Sequence, residues 1–170
     1  MSEDRNVPAH VAAAVKCDLA SEVLRSFGSL RFRATGWSML PAIWPGDTLV
    51  VERVSRDQVQ VGEVVLVGRD GRLCAHRVVS RIESFGSPQW TTQGDAMPAP
   101  DRPVIETELL GRVSHLIRGG NCIAVTTELS VVAKLMAKIV GRCFFPAARA
   151  LVYLHRMVEA SEESFLPCQG

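Results

Sequence analysis

Residues 64–82 read VVLVGRDGRLCAHRVVSRI, and this stretch decides the fold. Its first four residues are apolar, and Asp70-Gly71 separates them from a second, longer run. A short apolar run that is bounded by turn residues is typical of a strand, and Asp-Gly is a strong signal for a tight hairpin. The stretch therefore predicts two antiparallel strands, at 64–67 and 73–82.

Segments on both sides of this hairpin also have strand patterns. In the first of them, apolar Leu30, Phe32 and Ala34 alternate with arginines, as expected of a strand with one buried face. The further predicted strands lie at 30–34, 48–54, 90–93, 109–117 and 122–126. At 170 residues the chain has the length of one domain, so these segments predict a mainly β fold.

Helical patterns flank the β-rich middle. Before it, apolar residues recur at four-residue steps up to Gly28, which is placed to end an amphipathic helix. These residues are Val11, Val15, Leu19, Val23 and Phe27. After it, helical spacing returns within 131–158, where Pro146 divides two helices. We expect an N-terminal helix in residues 1–29, a β-rich domain in 30–126 and a helical appendage in 127–170.

Composition excludes several classes of function. Nineteen basic and eighteen acidic residues leave a net charge of +1, so no overall field attracts nucleic acid, and no nucleic-acid partner is expected. Five cysteines without a CxxC pair indicate neither a disulfide framework nor a zinc site, which favours the reducing cytoplasm. The N-terminus lacks the basic start and apolar core of a secretory signal. Basic residues interrupt the apolar pattern of 131–158, so no transmembrane span is predicted there.

A serine lies at a corner between two predicted strands, in the segment 36–41, which reads GWSMLP. Between a flexible glycine and a rigid proline, Ser38 can present its hydroxyl and neighbouring backbone N–H groups to a substrate. Serine is also common in ordinary loops, so Ser38 alone is weak evidence of catalysis. A serine becomes a strong nucleophile only beside a base.

The base that fits best is a histidine. Lys16, Lys134 and Lys138 all lie outside the β-rich middle, which excludes a Ser/Lys dyad built within it. His76 lies on the second strand of the predicted hairpin, and an imidazole there can accept the serine proton near neutral pH. Without Ser38, a half-buried strand histidine would be the better interpretation. His115 is interpreted as a core or surface residue, and no two histidines have metal-site spacing.

An acidic partner would orient the imidazole of a catalytic histidine. The proline-rich loop 94–101, GDAMPAPD, offers Asp95 and Asp101. Both could instead cap turns, as aspartates in loops often do. The residues alone leave the choice between the two acids open.

Five ordered blocks give the chain a family resemblance. The first three are Ser38-Met39 with Pro41, Gly46-Asp47 before a strand, and His76-Arg77-Val78; the last two are Gly94-Asp95 with Asp101, and Gly111-Arg112-Val113. In this order they resemble signal peptidase I and the related LexA-like peptidases, and above all the endoplasmic-reticulum and archaeal type of signal peptidase, which uses histidine where bacterial enzymes use lysine. The blocks cover about residues 30 to 117.

The resemblance implies a fold and a reaction. The fold would consist of coiled small sheets with flanking helices. The reaction would be endopeptidase cleavage of a precursor or leader peptide after a small residue, through an acyl-enzyme and without metal or cofactor. Ser38 would be the nucleophile and His76 the general base, while Asp101 would relay charge and Asp95 would support its loop. The backbone N–H of Ser38 would form part of the oxyanion hole.

The chain also departs from the signal peptidase pattern. Gly36 stands two residues before the nucleophile, where a signal peptidase usually has serine, and this makes the segment more similar to the LexA-like repressors. Glu63 replaces a usual aspartate. No N-terminal membrane anchor is expected, which favours a soluble cytoplasmic enzyme.

Two other functions are compatible with the same fold. A self-cleaving LexA-like regulator would need a DNA-binding domain and an Ala-Gly or Cys-Gly cleavage site, neither of which the sequence offers. A non-catalytic peptide-binding module would not need the complete set of Ser38, His76 and Asp101. Cys74 shares a strand face with His76 but points parallel to it, which makes a Cys/His dyad unfavourable.

Apolar residues near Ser38 are candidates for binding a peptide or protein substrate. Trp37, Met39 and Trp44 could line an apolar cleft, although core packing explains them equally well. The basic, apolar residues of 131–158 predict either packing on the β-domain or a partner, or peripheral contact with a membrane, and packing is the favoured interpretation.

Overall fold

The computed structural model describes residues 9–84 and 87–127 together with Leu135 and Ala137. In these residues the chain forms, in order, helix α1 (Ala9–Phe27), strands β1 (Ser29–Arg33) and β2 (Thr48–Glu52), a 3₁₀ turn (Arg56–Gln58), and strands β3 (Val64–Arg69), β4 (Arg72–Ser84), β5 (Ser87–Gln93), β6 (Leu109–Arg118) and β7 (Asn121–Ala124). The mainly β fold with an N-terminal helix is confirmed. The predicted helices within 131–158 lie outside the described residues, except that Leu135 and Ala137 are helical.

The hairpin that joins β3 to β4 has the tight turn that the sequence predicts. Asp70 and Gly71 both have left-handed backbone conformations, with φ of 50° and 71°. Aspartate tolerates this conformation and glycine adopts it without a steric penalty, so the pair suits a two-residue turn between twisted strands. The turn fixes the register in which Val65 lies opposite His76.

Every strand pair in the described part of the chain is antiparallel, and hydrogen bonds connect the strands into one sheet. The order is β1-β2-β6-β3-β4-β5, and β7 pairs with β6. The long strand β4 pairs with β3 through residues 72–77 and with β5 through residues 77–84. Strand β4 therefore carries His76 close to the point where its pairing passes from one neighbour to the other.

Two hydrophobic clusters cover the two faces of β3. Val64 and Leu66 belong to a cluster that also contains Leu24 of α1, whereas Val65 and Val67 belong to a cluster around Trp90. Successive side chains of a strand point to opposite faces. Because a cluster covers each face, all four of these β3 residues are buried. This explains the unbroken apolar run 64–67, which is typical of a strand that is covered on both faces.

Helix α1 ends as predicted but packs by another face. Gly28 has φ of 73° and its N–H donates to the carbonyl oxygen of Leu24, 3.0 Å away. The helix buries Ala20 and Leu24, whereas Leu19 is 60 % exposed and Phe27 is 78 % exposed. The predicted four-residue stripe is therefore wrong as the buried face. Four residues advance about 400° around a helix, so each step rotates the stripe by about 40° and five such residues cannot share one face.

Candidate active site

The loop between β1 and β2 carries Ser38 and is held by its own backbone. The N–H of Leu40 donates to the carbonyl of Trp37 at 3.2 Å, and the N–H of Ile43 donates to the carbonyl of Met39 at 3.0 Å. The peptide bond before Pro41 is cis. The two hydrogen bonds make residues 37–43 a compact turn that carries the half-buried Ser38.

The imidazole of His76 lies within hydrogen-bond distance of the Ser38 hydroxyl. His76 Nε2 and Ser38 Oγ are 2.9 Å apart, although the two residues are 38 positions apart in the sequence. The side chain of His76 is 13 % exposed, so the contact is largely shielded from water. A neutral imidazole whose Nε2 lone pair points at a hydroxyl can accept the hydroxyl proton.

Asp101 contacts the other ring nitrogen of His76, on the side away from Ser38. His76 Nδ1 and Asp101 Oδ2 are 2.6 Å apart, and the same carboxylate oxygen accepts a hydrogen bond from Thr92 Oγ1 at 2.8 Å. The backbone N–H of Asp101 donates to the carbonyl of Thr92, also at 2.8 Å. A carboxylate at Nδ1 favours the tautomer with its proton on Nδ1, which leaves Nε2 free to accept from Ser38.

Asp95 contacts a different partner. Its two carboxylate oxygens accept from Nε and Nη2 of Arg77, both at 2.8 Å, and its side chain is 3 % exposed. The remaining nitrogen of Arg77 donates to the carbonyls of Gly62 and Thr126, each at 2.7 Å. The structure thus brings Ser38, His76 and Asp101 together and leaves Asp95 in a buried ion pair beside them.

Asparagine substitutions should separate the two acids. Asp101→Asn should lower kcat/KM by about 10²- to 10⁴-fold, because the amide no longer holds His76 in the productive tautomer. Asp95→Asn should mainly destabilise the protein, by about 3 kcal/mol, because it leaves the buried guanidinium of Arg77 without its countercharge. Steady-state kinetics and thermal melts of both variants test this assignment. The assignment is reversed if Asp95→Asn impairs turnover more than Asp101→Asn at equal melting temperature.

Gly94 lies directly against Ser38, a contact that no sequence pattern revealed. A Cβ atom on Gly94 would lie 2.6 Å from the carbonyl oxygen of Ser38 and 3.0 Å from its Cβ. Nearby, the N–H of Ala96 donates to the same Ser38 carbonyl at 2.8 Å. Residues 94–96 therefore support the backbone of Ser38 at van der Waals distance.

Gly94→Ala should displace Ser38 and lower kcat/KM by about 10- to 100-fold, since a shift of about 1 Å in a reacting group can cost that much. The matched control is Gly36→Ala, because no atom lies within 4 Å of the Cβ that it would add. Peptide hydrolysis by the two purified variants is the measurement. Equal activities would show that the contact at Gly94 does not position the nucleophile.

An ion pair between buried Asp47 and partly exposed Arg118 holds the other end of the loop that carries Ser38. Arg118 of β6 donates to both carboxylate oxygens of Asp47, at 2.8 and 2.6 Å, and to the carbonyl of Ala42 at 3.2 Å. Asp47 also accepts from the N–H of Trp44 at 2.7 Å. The hydrogen bonds that Arg118 donates to Asp47 raise the pKa of its guanidinium. The Gly46-Asp47 motif pointed to this loop from the sequence, but Arg118 carried no signal of its own.

The three predicted substrate-binding residues differ in position. Met39 is 4 % exposed and belongs to the cluster that contains Leu24, as the core-packing interpretation holds. Trp37 and Trp44 are half-buried, and Nε1 of Trp44 donates to the carbonyl of Pro41 at 3.0 Å. The two tryptophans therefore keep some exposed surface, whereas Met39 packs in the core.

Cys74 is a poor alternative nucleophile. Partial desolvation and the negative charge of Asp101 raise the pKa of its thiol. Because the thiolate is the reactive form of cysteine, a raised pKa lowers its nucleophilicity at neutral pH. This result favours the hydroxyl of Ser38 over the thiol as the group that His76 would activate.

The remaining findings concern metals, membranes and relatives. Among the described residues, no cluster of three histidine, cysteine or acidic side chains has the geometry to hold a metal ion. None of the helices in the described ranges is long and apolar enough to cross a membrane. No protein-family model matches the chain, and no curated protein matches it either.

Proposed function

We propose that this chain is a serine endopeptidase of the signal peptidase I and LexA-like type. The observation that carries the proposal is the continuous line of hydrogen-bond contacts from Ser38 Oγ through His76 to Asp101, with distances of 2.9 and 2.6 Å. The three side chains come from three separate segments, and a nucleophile, a base and an orienting acid in this order are the arrangement that acyl transfer requires.

In the first half of the proposed reaction, Ser38 Oγ attacks the carbonyl carbon of the scissile peptide bond while His76 Nε2 takes the hydroxyl proton. The carbonyl oxygen becomes an oxyanion, to which we assign the backbone N–H of Ser38 as one donor. Asp101 stabilises the imidazolium that has formed. The imidazolium then gives its proton to the leaving amine as the C–N bond breaks, and the acyl group remains on Ser38 as an ester.

In the second half, a water molecule replaces the departed amine. His76 takes a proton from this water, and the resulting oxygen attacks the ester carbon. The ester C–O bond breaks, His76 returns the proton to Ser38, and the acid product leaves. Every proton is transferred by the same imidazole, so the reaction needs no oxidant, reductant or metal.

The finer fold assignment belongs to the same proposal. A strand such as β4, which pairs first with β3 and then with β5, suits the coiled small sheets of the LexA and signal peptidase type. The resemblance further implies a precursor or leader peptide as the substrate, cut after a small residue. A cytoplasmic location is supported by Cys17, Cys74 and Cys122, which are free thiols. Residues 131–158 would contact the β-domain, a partner protein or a membrane surface.

The proposal is tested by digesting a proteome-derived peptide library with the purified protein and identifying the new termini by mass spectrometry. We expect cleavage at a recurrent position that follows a small residue, by the wild-type protein and not by a Ser38→Ala preparation made in parallel. Identical termini from both preparations would refute the proposal, because the cleavage would then come from a contaminant or from another site.

A further inference from the structure

A cavity of about 480 Å³ opens beside the proposed catalytic residues. Its walls include His76, Asp101 and Thr92, together with apolar Val67 and Val104. Its volume is within the range of pockets that hold small ligands, roughly 300–1,000 Å³, so one side chain and its flanking backbone can enter. The cavity therefore adjoins the imidazole at the end that contacts Asp101.

Three arginines also line this cavity: Arg69, Arg72 and Arg102. Arg69 is fully engaged, since it pairs with both carboxylate oxygens of Glu108 and donates to the carbonyls of Arg102 and Pro103. Arg102 pairs with Asp70 at 2.8 Å. Two of the three positive charges are therefore balanced by carboxylates.

Arg72 carries the third positive charge, and it has no carboxylate partner in the described part of the chain. Within residues 9–84 and 87–127, no carboxylate lies within 4.0 Å of its guanidinium, and the side chain is exposed. Arg69 lies directly opposite Arg72 in the β3–β4 register, so two like charges face each other across the strands. Asp101 also lines the cavity, but it makes no ion pair with Arg72, and its Oδ2 accepts from His76 and Thr92.

We propose that this cavity binds an acidic side chain of the peptide substrate and that Arg72 selects it. The inference rests on the proposed peptidase function and adds a substrate class to it. An anionic side chain beside Arg72 would give its guanidinium a countercharge, whereas a cationic one would add a like charge. The apolar walls at Val67 and Val104 would hold the methylene part of a glutamate or the Cβ of an aspartate.

The distance from the nucleophile limits which substrate residue can enter. Ser38 and the cavity lie on opposite sides of the His76 ring, separated by the imidazole and its contacts of 2.9 and 2.6 Å. An extended peptide advances about 3.3 Å per residue. The acidic residue would therefore lie one to three positions from the scissile bond.

The test compares cleavage sites in a proteome-derived peptide library among wild type, Arg72→Gln and Arg72→Glu. For wild type we expect Asp and Glu to be enriched about two- to fivefold at one position within three residues of the scissile bond, the size expected of one exposed ion pair. Arg72→Gln should lose the enrichment, and Arg72→Glu should replace it with a preference for Lys and Arg. Arg31→Glu is the matched control, because Arg31 is an exposed strand arginine outside the cavity.

The possible outcomes distinguish a failure of this inference from a failure of the proposed peptidase function. Cleavage that depends on Ser38 but shows no charge preference, or the same preference in wild type and Arg72→Glu, would overturn the inference and leave the peptidase assignment intact. A shift in preference caused equally by Arg31→Glu would also overturn it, because the effect would then come from overall charge. Absence of any cleavage that depends on Ser38 would overturn the peptidase function and the inference with it.

Discussion

His76→Ala should lower kcat/KM by about 10⁶-fold, as much as loss of the nucleophile itself, because members of a catalytic triad act as a unit. Without the imidazole at 2.9 Å from Ser38 Oγ, no described side chain remains in contact with the hydroxyl to accept its proton. The leaving amine would also lose its proton donor. The measurement is steady-state hydrolysis of a peptide taken from the library digest, together with a thermal melt of the variant.

His115→Ala is the control for this substitution. His115 also lies on a strand of the sheet, but its Nδ1 is 3.0 Å from Ser114 Oγ. This contact does not involve the proposed catalytic residues. We expect this variant to retain wild-type turnover. Turnover by His76→Ala within tenfold of that by His115→Ala would refute the assignment of His76 as base.

The position of His76 was predictable because it depends on short-range signals. Asp70-Gly71 specifies the hairpin, and the hairpin turn determines the register that places His76 opposite Val65. The apolar run 64–67 predicts the partner strand β3, which the structure shows to be buried on both faces. Local turn chemistry and strand composition were therefore enough to place the proposed base on a rigid element.

Contacts between distant segments were not predictable in the same way. Arg118 and Asp47 are 71 positions apart, and an arginine at the end of a strand looks the same in the sequence whether it is solvated or paired. The close approach of Gly94 to Ser38 depends on how the loop after β5 returns across the turn that carries Ser38. Such contacts follow from the packing of the whole sheet, and no local pattern records them.

Local sequence patterns also failed to predict two further features, which are the face by which α1 packs and the roles of the two acids. A four-residue spacing cannot choose between the side of the helix with Leu19 and the side with Leu24, because the choice depends on which side fits the sheet. Asp95 and Asp101 share one loop, and only their partners, Arg77 and His76, distinguish them. Their roles as loop support and relay acid stay predictions until the asparagine variants are measured.

Ser38→Ala should lower kcat/KM by about 10⁶-fold with little change in stability. The substitution removes the attacking oxygen, and only backbone donors and binding contacts would remain to accelerate the reaction. The fold should tolerate the change, because the half-buried side chain loses one atom and the backbone contacts of Ser38 with Ala96 do not involve the hydroxyl. A melting temperature close to that of wild type would exclude unfolding as the cause of inactivity.

The most direct measurement is therefore the ratio of kcat/KM between wild type and Ser38→Ala on one peptide, using preparations purified side by side and matched in melting temperature. A ratio of about 10⁵ or more is the predicted result, since trace contamination by other peptidases limits how low the variant can be measured. A ratio below about ten, with both proteins folded, would contradict the assignment of Ser38 as the nucleophile.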